Sequence, residues 1–221
     1  MKTKKIQQLI MSALLSLISS LAIAMPVTYS GVTFPTGDSS FADAYLPFTP
    51  GPNSITQGGI TYDNPDYVLG APDNASVSLG NGGTITVQFT DNSLTTSGDA
   101  TKDLWIFEFG PAIEDFQVEI STNAIDWIDL GFIRGQPSGL DIDSFAAVTS
   151  GTLYSYVRIT DDITNGPTSP PFAGADINAV GAITSGPAAP EDPVVSVSEP
   201  SSLALLLCGL LVAGGMRKRK A

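Results

Sequence analysis

The sequence has no histidine, one cysteine and few cations. Each absence closes a class of chemistry. Without histidine there is no Ser-His-Asp or Cys-His catalysis, no imidazole acid or base, and no ordinary zinc site. Cys208 stands alone inside an apolar run near the C-terminal end, so the exported part expected below has no disulfide and must be held by its core. Lysine and arginine number 10 against 22 aspartates and glutamates, and most of the cations sit at the two ends: Lys2, Lys4 and Lys5, then Arg217, Lys218, Arg219 and Lys220. Lys102, Arg134 and Arg158 remain for everything between. So acidic a surface repels nucleic acid and anionic membrane and attracts cations, and it is also what a soluble extracellular protein ordinarily carries. No stretch from Met25 to Pro193 shows a sustained 3.6-residue apolar period, so helices are not expected there.

What the sequence does have is clearest at its ends. Residues 1–24 read as a secretory signal peptide, with the lysines as its positive region, Leu9 to Ile23 as its apolar stretch, and Ala22-Ile23-Ala24 as a small-x-small cleavage site at Ala22 and Ala24. The secretion machinery is the implied partner. A retained N-terminal membrane helix is the other reading, disfavoured by Ser12, Ser16, Ser19 and Ser20. Residues 186–197, with Pro187, Pro190 and Pro193, read as a semi-rigid linker. After it, Ser198-Glu199-Pro200 breaks the chain, Leu203 to Met216 runs without a charge, and Arg217-Lys218-Arg219-Lys220 closes it. Fourteen helical residues reach only ~21 Å, short of a ~30 Å hydrocarbon core. The basic end stays cytoplasmic by the positive-inside rule, leaving what precedes Ser198 on the far side.

This three-part order resembles the PEP-CTERM sorting signal of exopolysaccharide-producing Gram-negative bacteria, with Ser198 in place of the first proline of Pro-Glu-Pro. The resemblance implies transient membrane insertion through residues 198–221, recognition by an exosortase-type membrane protease, and removal of the tail during export. It places the protein across the inner membrane, at the outer surface or in the extracellular matrix. An ordinary short C-terminal membrane anchor is the alternative.

Between the two ends the periodicity is that of strands. Thr84 to Thr90 follows a Gly80-Asn81-Gly82-Gly83 turn and alternates, with Ile85, Val87 and Phe89 on one side and threonines with Gln88 on the other. Leu104-Trp105-Ile106-Phe107 is apolar on both faces, as a central strand covered on both sides would be. Phe116 to Ser121 alternates again and leads by a tight turn into Trp127 to Leu130, a hairpin. Leu153 to Thr160 and Ile177 to Ile183 supply further strands, while Asp91 to Asp103 reads as a polar loop. The expected fold for residues 25–185 is all-β, an antiparallel β-sandwich. Leu69-Gly70-Ala71-Pro72-Asp73, Leu79 to Gly83, Asp103 to Glu108, Val118 to Ser121 with Trp127, Tyr156 to Asp161 and Gly174 to Val180 also resemble a galactose-binding-like or discoidin-like jelly roll. That resemblance implies a binding domain with variable loops, for sugars, lipids or proteins.

Acidic residues bracket these strands: Asp103 and Glu108 flank one, Asp161 and Asp162 follow another, and Asp176 with Asn178 begins the last. Oxygen ligands brought together from several loops suit Ca²⁺; turn capping is the other role such residues play. Trp127 and Arg158 are candidates for sugar contact, and Arg158 is equally suited to pairing with a neighbouring acid. Trp105, inside an apolar run, is expected in the core. Glu108, Glu114 and Glu119 are the glutamates available for a carboxylate pair of a glycoside hydrolase, but no catalytic motif accompanies them. The reading is therefore a non-catalytic exported protein that binds or structures exopolysaccharide in biofilm or floc. A polysaccharide-processing hydrolase and a purely structural surface protein are the alternatives.

Overall fold

The computed structural model describes residues 25–190, except 55, 58, 59, 111, 167, 171 and 172. The expected signal peptide, the linker beyond residue 190 and the sorting signal lie outside the described residues.

Fifteen strands are described, in chain order: β1 (Val27–Tyr29), β2 (Val32–Phe34), β3 (Ala44–Tyr45), β4 (Thr56–Gln57), β5 (Ile60–Thr61), β6 (Val77–Ser78), β7 (Thr84–Gln88) and β8 (Asn92–Leu94) come first. They are followed by β9 (Leu104–Glu108), β10 (Asp115–Ser121), β11 (Ile128–Arg134), β12 (Ser138–Leu140), β13 (Tyr156–Asp161), β14 (Asp176–Ala182) and β15 (Ser185–Pro187). Every named pairing is antiparallel. Among the described residues there is no α-helix, only three short 3₁₀ turns. A five-stranded sheet in the order β11-β10-β13-β7-β3 and a four-stranded sheet in the order β12-β9-β14-β6 share one apolar core.

Alternation decides what each sheet gives to that core. From the five-stranded sheet come Ile85 and Val87, then Phe116, Val118 and Ile120, then Val157 and Ile159, all fully buried. The four-stranded sheet answers with Leu104, Ile106, Ile177 and Val180. Burying an aliphatic or aromatic side chain contributes about 1.5–3 kcal/mol, so this interdigitated set supplies the stability that no disulfide can.

The four-stranded sheet is covered on its other side as well, as the doubly apolar run of β9 requires. Trp105, Phe107 and Ala179 face a second group formed by Val32, Phe34 and Phe41 from the N-terminal segment. The Phe34 and Phe41 rings lie 4.5 Å apart by their centroids, and Phe41 meets the Tyr29 ring nearly edge-on at 5.4 Å. This cover explains why all seven residues of β14 are buried. Gly181 has no freedom to be otherwise, since a Cβ there would lie 2.7 Å from Phe34 and 2.8 Å from Phe41.

Three differences from the sequence reading have plain causes. The stretch from Asp91 carries a strand, β8, because Leu94 enters the core and Asn92 and Ser93 are buried with it. Its partner is β15, which takes Gly186 and Pro187, the first two residues of the expected linker, into pairing with Ser93 and Asn92. The hairpin strand after Trp127 is longer than its apolar part, because a bulge between Gln117 and Glu119 lets the pairing continue to Arg134. The turn between β10 and β11 is closed by Asn123, whose Oδ1 accepts from the Ile125 and Asp126 N–H groups at 2.9 Å.

Candidate functional site

The acids expected to gather around one ion fall in separate places. Asp103 precedes β9 and Glu108 ends it, and five residues at ~3.3 Å per step put them at opposite ends of the sheet. Asp162 turns its carboxylate into its own turn, accepting from the Thr164 N–H at 3.0 Å and the Thr164 hydroxyl at 2.7 Å. Those two bonds hold it below the ordinary carboxylate range. Asn178 faces the loop ahead of β6. Its Oδ1 accepts from the Asp73 N–H at 3.1 Å and its Nδ2 donates to the Ala75 carbonyl, so it clamps residues 73–75 to the sheet.

Glu108, Asp161 and Asp176 do come together, and Glu114 joins them. β14 pairs with β9 so that Ile177 stands opposite Glu108, and with β6 so that Asp176 stands opposite Ser78. The Ser78 hydroxyl donates to Asp176 Oδ1. Asp161 staples two loops, its Oδ1 accepting from Ala175 N–H at 2.9 Å and its Oδ2 from Gly82 N–H at 2.8 Å. Glu114 enters from the 109–114 loop with its carboxylate against the Asp176 backbone N–H. Glu108 is 7% exposed and Glu114 2%. Neither Glu108 oxygen has a hydrogen-bond partner, nor does Glu114 Oε1. Gln136 lies beside Glu108, but its Nε2 donates to the carbonyls of Gly110 at 3.1 Å and Ala112 at 2.8 Å.

The electrostatics follow from that burial. Desolvation pushes the Glu108 carboxyl up to about 8, with Asp176 adding to the rise and Gln136 and Arg134 opposing it. Desolvation also takes Glu114 up to about 8, reinforced by the charges of Asp176, Glu108 and Asp161. Asp176 rises to about 6 for the same first reason, moderated by the Ser78 hydroxyl. Asp161 rises less because the Gly82 and Ala175 amides favour its charged form.

At the other end of β9, Asp103 is fully buried and meets Asp141 and Asp143, with one oxygen from each lying within 4.8 Å of the others. Asp103 Oδ1 accepts from Ser97 N–H at 3.0 Å and from the Thr184 hydroxyl at 2.6 Å, and Oδ2 accepts from Ile142 N–H at 2.9 Å. Asp143 Oδ2 accepts from the Ser97 hydroxyl and the Gly98 N–H, each at 3.1 Å. Asp141 Oδ1 is buried without a hydrogen-bond partner. Three hard oxygen donors at that spacing, one of them unsatisfied, fit a hard cation such as Ca²⁺.

Trp127 and Arg158 lie together on the outer face of the five-stranded sheet. The Arg158 guanidinium sits 4.1 Å from the Trp127 ring centroid and makes two 2.6 Å bonds to Glu119, its cross-strand neighbour. Such a forked pair is stronger than an ordinary hydrogen bond, and it leaves the guanidinium neutralised. The pairing register lines up three rows across this face: Phe132, Gln117, Thr160 and Thr84; Asp129, Glu119, Arg158 and Thr86; then Ser121, Tyr156 and Gln88. Phe132 is 61% exposed.

Sequence reasoning misses Asp141 and Asp143 as ligands, although Asp141-Ile142-Asp143 turns two carboxylates outward from the buried Ile142. The sequence names Glu114 only as a glutamate available for a hydrolytic pair; that it is buried while its neighbour Ile113 is exposed is decided by the fold. No protein-family model matches the chain, and neither a curated protein nor a solved structure does.

Proposed function

We propose that this chain is an exported, non-catalytic protein of the outer surface or extracellular matrix, and that it binds or structures exopolysaccharide through the outer face of its five-stranded sheet. The observation that carries this is the composition of that face. Trp127, Phe132 and Tyr156 offer apolar surface, while Gln88, Gln117, Thr84, Thr86 and Thr160 stand beside them in register with amide and hydroxyl groups. Ring faces of sugars pack on aromatic surfaces and their hydroxyls need such donors and acceptors. Because Glu119 neutralises Arg158, the face suits neutral rather than strongly anionic chains. The galactose-binding-like jelly roll is the finer fold we assign, and Asp103, Asp141 and Asp143 are the ligands of a Ca²⁺ drawn from the medium.

The experiment is a glycan array with the secreted protein, followed by co-sedimentation with the polysaccharide that scores. Trp127→Ala is expected to weaken binding about tenfold, roughly 1.4 kcal/mol. No binding to any glycan overturns the proposal in favour of a structural surface protein, and release of reducing sugar overturns it in favour of a hydrolase. The sorting assignment has its own test. Mass spectrometry of the secreted form is expected to find Arg217 to Lys220 missing, and an intact C-terminus would refute processing.

A further inference from the structure

We infer that Glu119 decides which polysaccharides the outer face of the five-stranded sheet accepts: it holds Arg158 beside Trp127, cancels its charge, and so makes the face refuse chains that carry carboxylates. This rests on the reading of that face as a glycan-binding surface. The starting point is a scarcity of cations. Lys102 lies between β8 and β9, away from the five-stranded sheet, and Arg134 ends β11 in a single 3.1 Å bond to Asp115. Arg158 stands in the middle of the face, on β13 between β10 and β7. A bare guanidinium there would take a sugar carboxylate with two parallel bonds.

Those two bonds are already made. Arg158 Nε and Nη2 donate to the two oxygens of Glu119, each at 2.6 Å, and strand register sets the two residues directly opposite each other. Asp129, the other acid of the row, is not a rival for the cation: its Oδ1 accepts from the Gly131 N–H at 2.7 Å, within its own strand. Trp127 comes from the step before β11, and its ring centroid lies 4.1 Å from the Arg158 guanidinium, so ring and cation meet across β10. The fork fixes the plane of the guanidinium, and the guanidinium in turn covers part of the ring.

Stability is a small part of what this arrangement does, because a partly exposed ion pair between strands adds little. Its larger consequence is for what can bind. A carboxylate approaching Arg158 meets the Glu119 charge at a similar distance, so attraction and repulsion offset each other. A hydroxyl carries no charge to be repelled, and the threonines and glutamines of the flanking rows can still serve it. Glu119 is therefore a positioning residue for Trp127 and a specificity residue for the face.

The test compares variants of the secreted protein on two matched polymers, polygalacturonate and its methyl ester, which share a backbone and differ in charge. Wild type is expected to bind the ester better than the acid. Glu119→Gln leaves an amide oxygen for Arg158 but removes the opposing charge, so affinity for polygalacturonate should rise about tenfold at low salt and the gain should shrink at about 0.5 M salt. Affinity for the ester should change less than about threefold, which a merely structural role of Glu119 would not produce. Arg158→Gln approaches from the other side: with Glu119 unopposed, preference for the ester should increase about tenfold. Glu119→Gln/Arg158→Gln, with neither charge, should lie near wild type in that preference, and melting within about 5 °C of wild type shows each variant folded. If wild type scores on the glycan array but the preference moves less than about threefold in both single variants, this inference alone is overturned. A blank array overturns the glycan reading and this inference with it.

Discussion

Asp103→Ala, measured in chelator, is expected to remove about 4 kcal/mol or more of stability, a large part of the 5–15 kcal/mol that holds a domain of this kind. Asp103 is fully buried and takes the Ser97 amide, the Ile142 amide and the Thr184 hydroxyl at once. These donors come from the loop after β8, from the 3₁₀ turn at Ile142–Ser144 and from the link between β14 and β15. Alanine leaves all three without an acceptor inside the protein, at about 1–3 kcal/mol each, and opens a void besides. Asp103→Asn keeps one carbonyl oxygen but turns an amide hydrogen toward a donor, so it should fall between wild type and alanine. Urea unfolding in EDTA checks both. An alanine variant within 1 kcal/mol of wild type (roughly, the value of one ordinary hydrogen bond) would show that the carboxylate does not tie these three segments.

The second large effect is on pH dependence. Glu108 and Glu114 titrate at about 8 in the folded chain, against ordinary values near 4.5. Between those two pH values the folded state holds more protons than the unfolded chain, so stability falls as pH rises. The contribution is complete below pH 4.5 and is lost as pH climbs through about 8. Asp176, raised to about 6, adds to the same slope. Asp161 beside them is raised as well, and Arg134 is the cation that opposes the trend at Glu108. Over that window the metal-free protein is expected to lose on the order of 5 kcal/mol. Glu108→Gln/Glu114→Gln should flatten most of the slope, leaving the part that belongs to Asp176 and Asp161. A wild-type midpoint in EDTA that is constant from pH 5 to about 8 would mean that water reaches these acids and that they are not desolvated.

The strands were legible because the sequence alternates wherever a sheet buries one face. Thr84 to Phe89, Phe116 to Ser121 and Val157 to Ile159 each carry the two-residue period, and each is a strand with its apolar set in the core. The doubly apolar run of Leu104 to Phe107 likewise foretells a strand covered on both sides, though not by what. β8 was illegible for the opposite reason: Asn92 and Ser93 are polar, and only pairing with β15 makes burial tolerable. The Gly80-Asn81-Gly82-Gly83 turn is evident from composition, and the structure adds why its last glycine cannot change. A Cβ at Gly83 would lie 1.8 Å from the Leu79 carbonyl oxygen.

The candidate site divides along the same line. Local sequence marks acids at strand ends, because turns favour Asp whatever else it does. It cannot say which of them meet. Asp161 and Asp176 are close because β13 ends and β14 begins on the same side of two different sheets; Asp162, the next residue, faces away into its own turn. Glu119 and Arg158 are 39 residues apart and become a forked pair through strand register alone.

By itself the sequence determined that this is a cysteine-poor, histidine-free acidic chain with an all-β middle, since composition and the two-residue period are local properties that no tertiary contact can alter. Only the tertiary structure decided which carboxylates lose their water and which keep it. Desolvation depends on what packs around a group from distant parts of the chain, and it is desolvation first that raises Glu108, Glu114, Asp176 and Asp161.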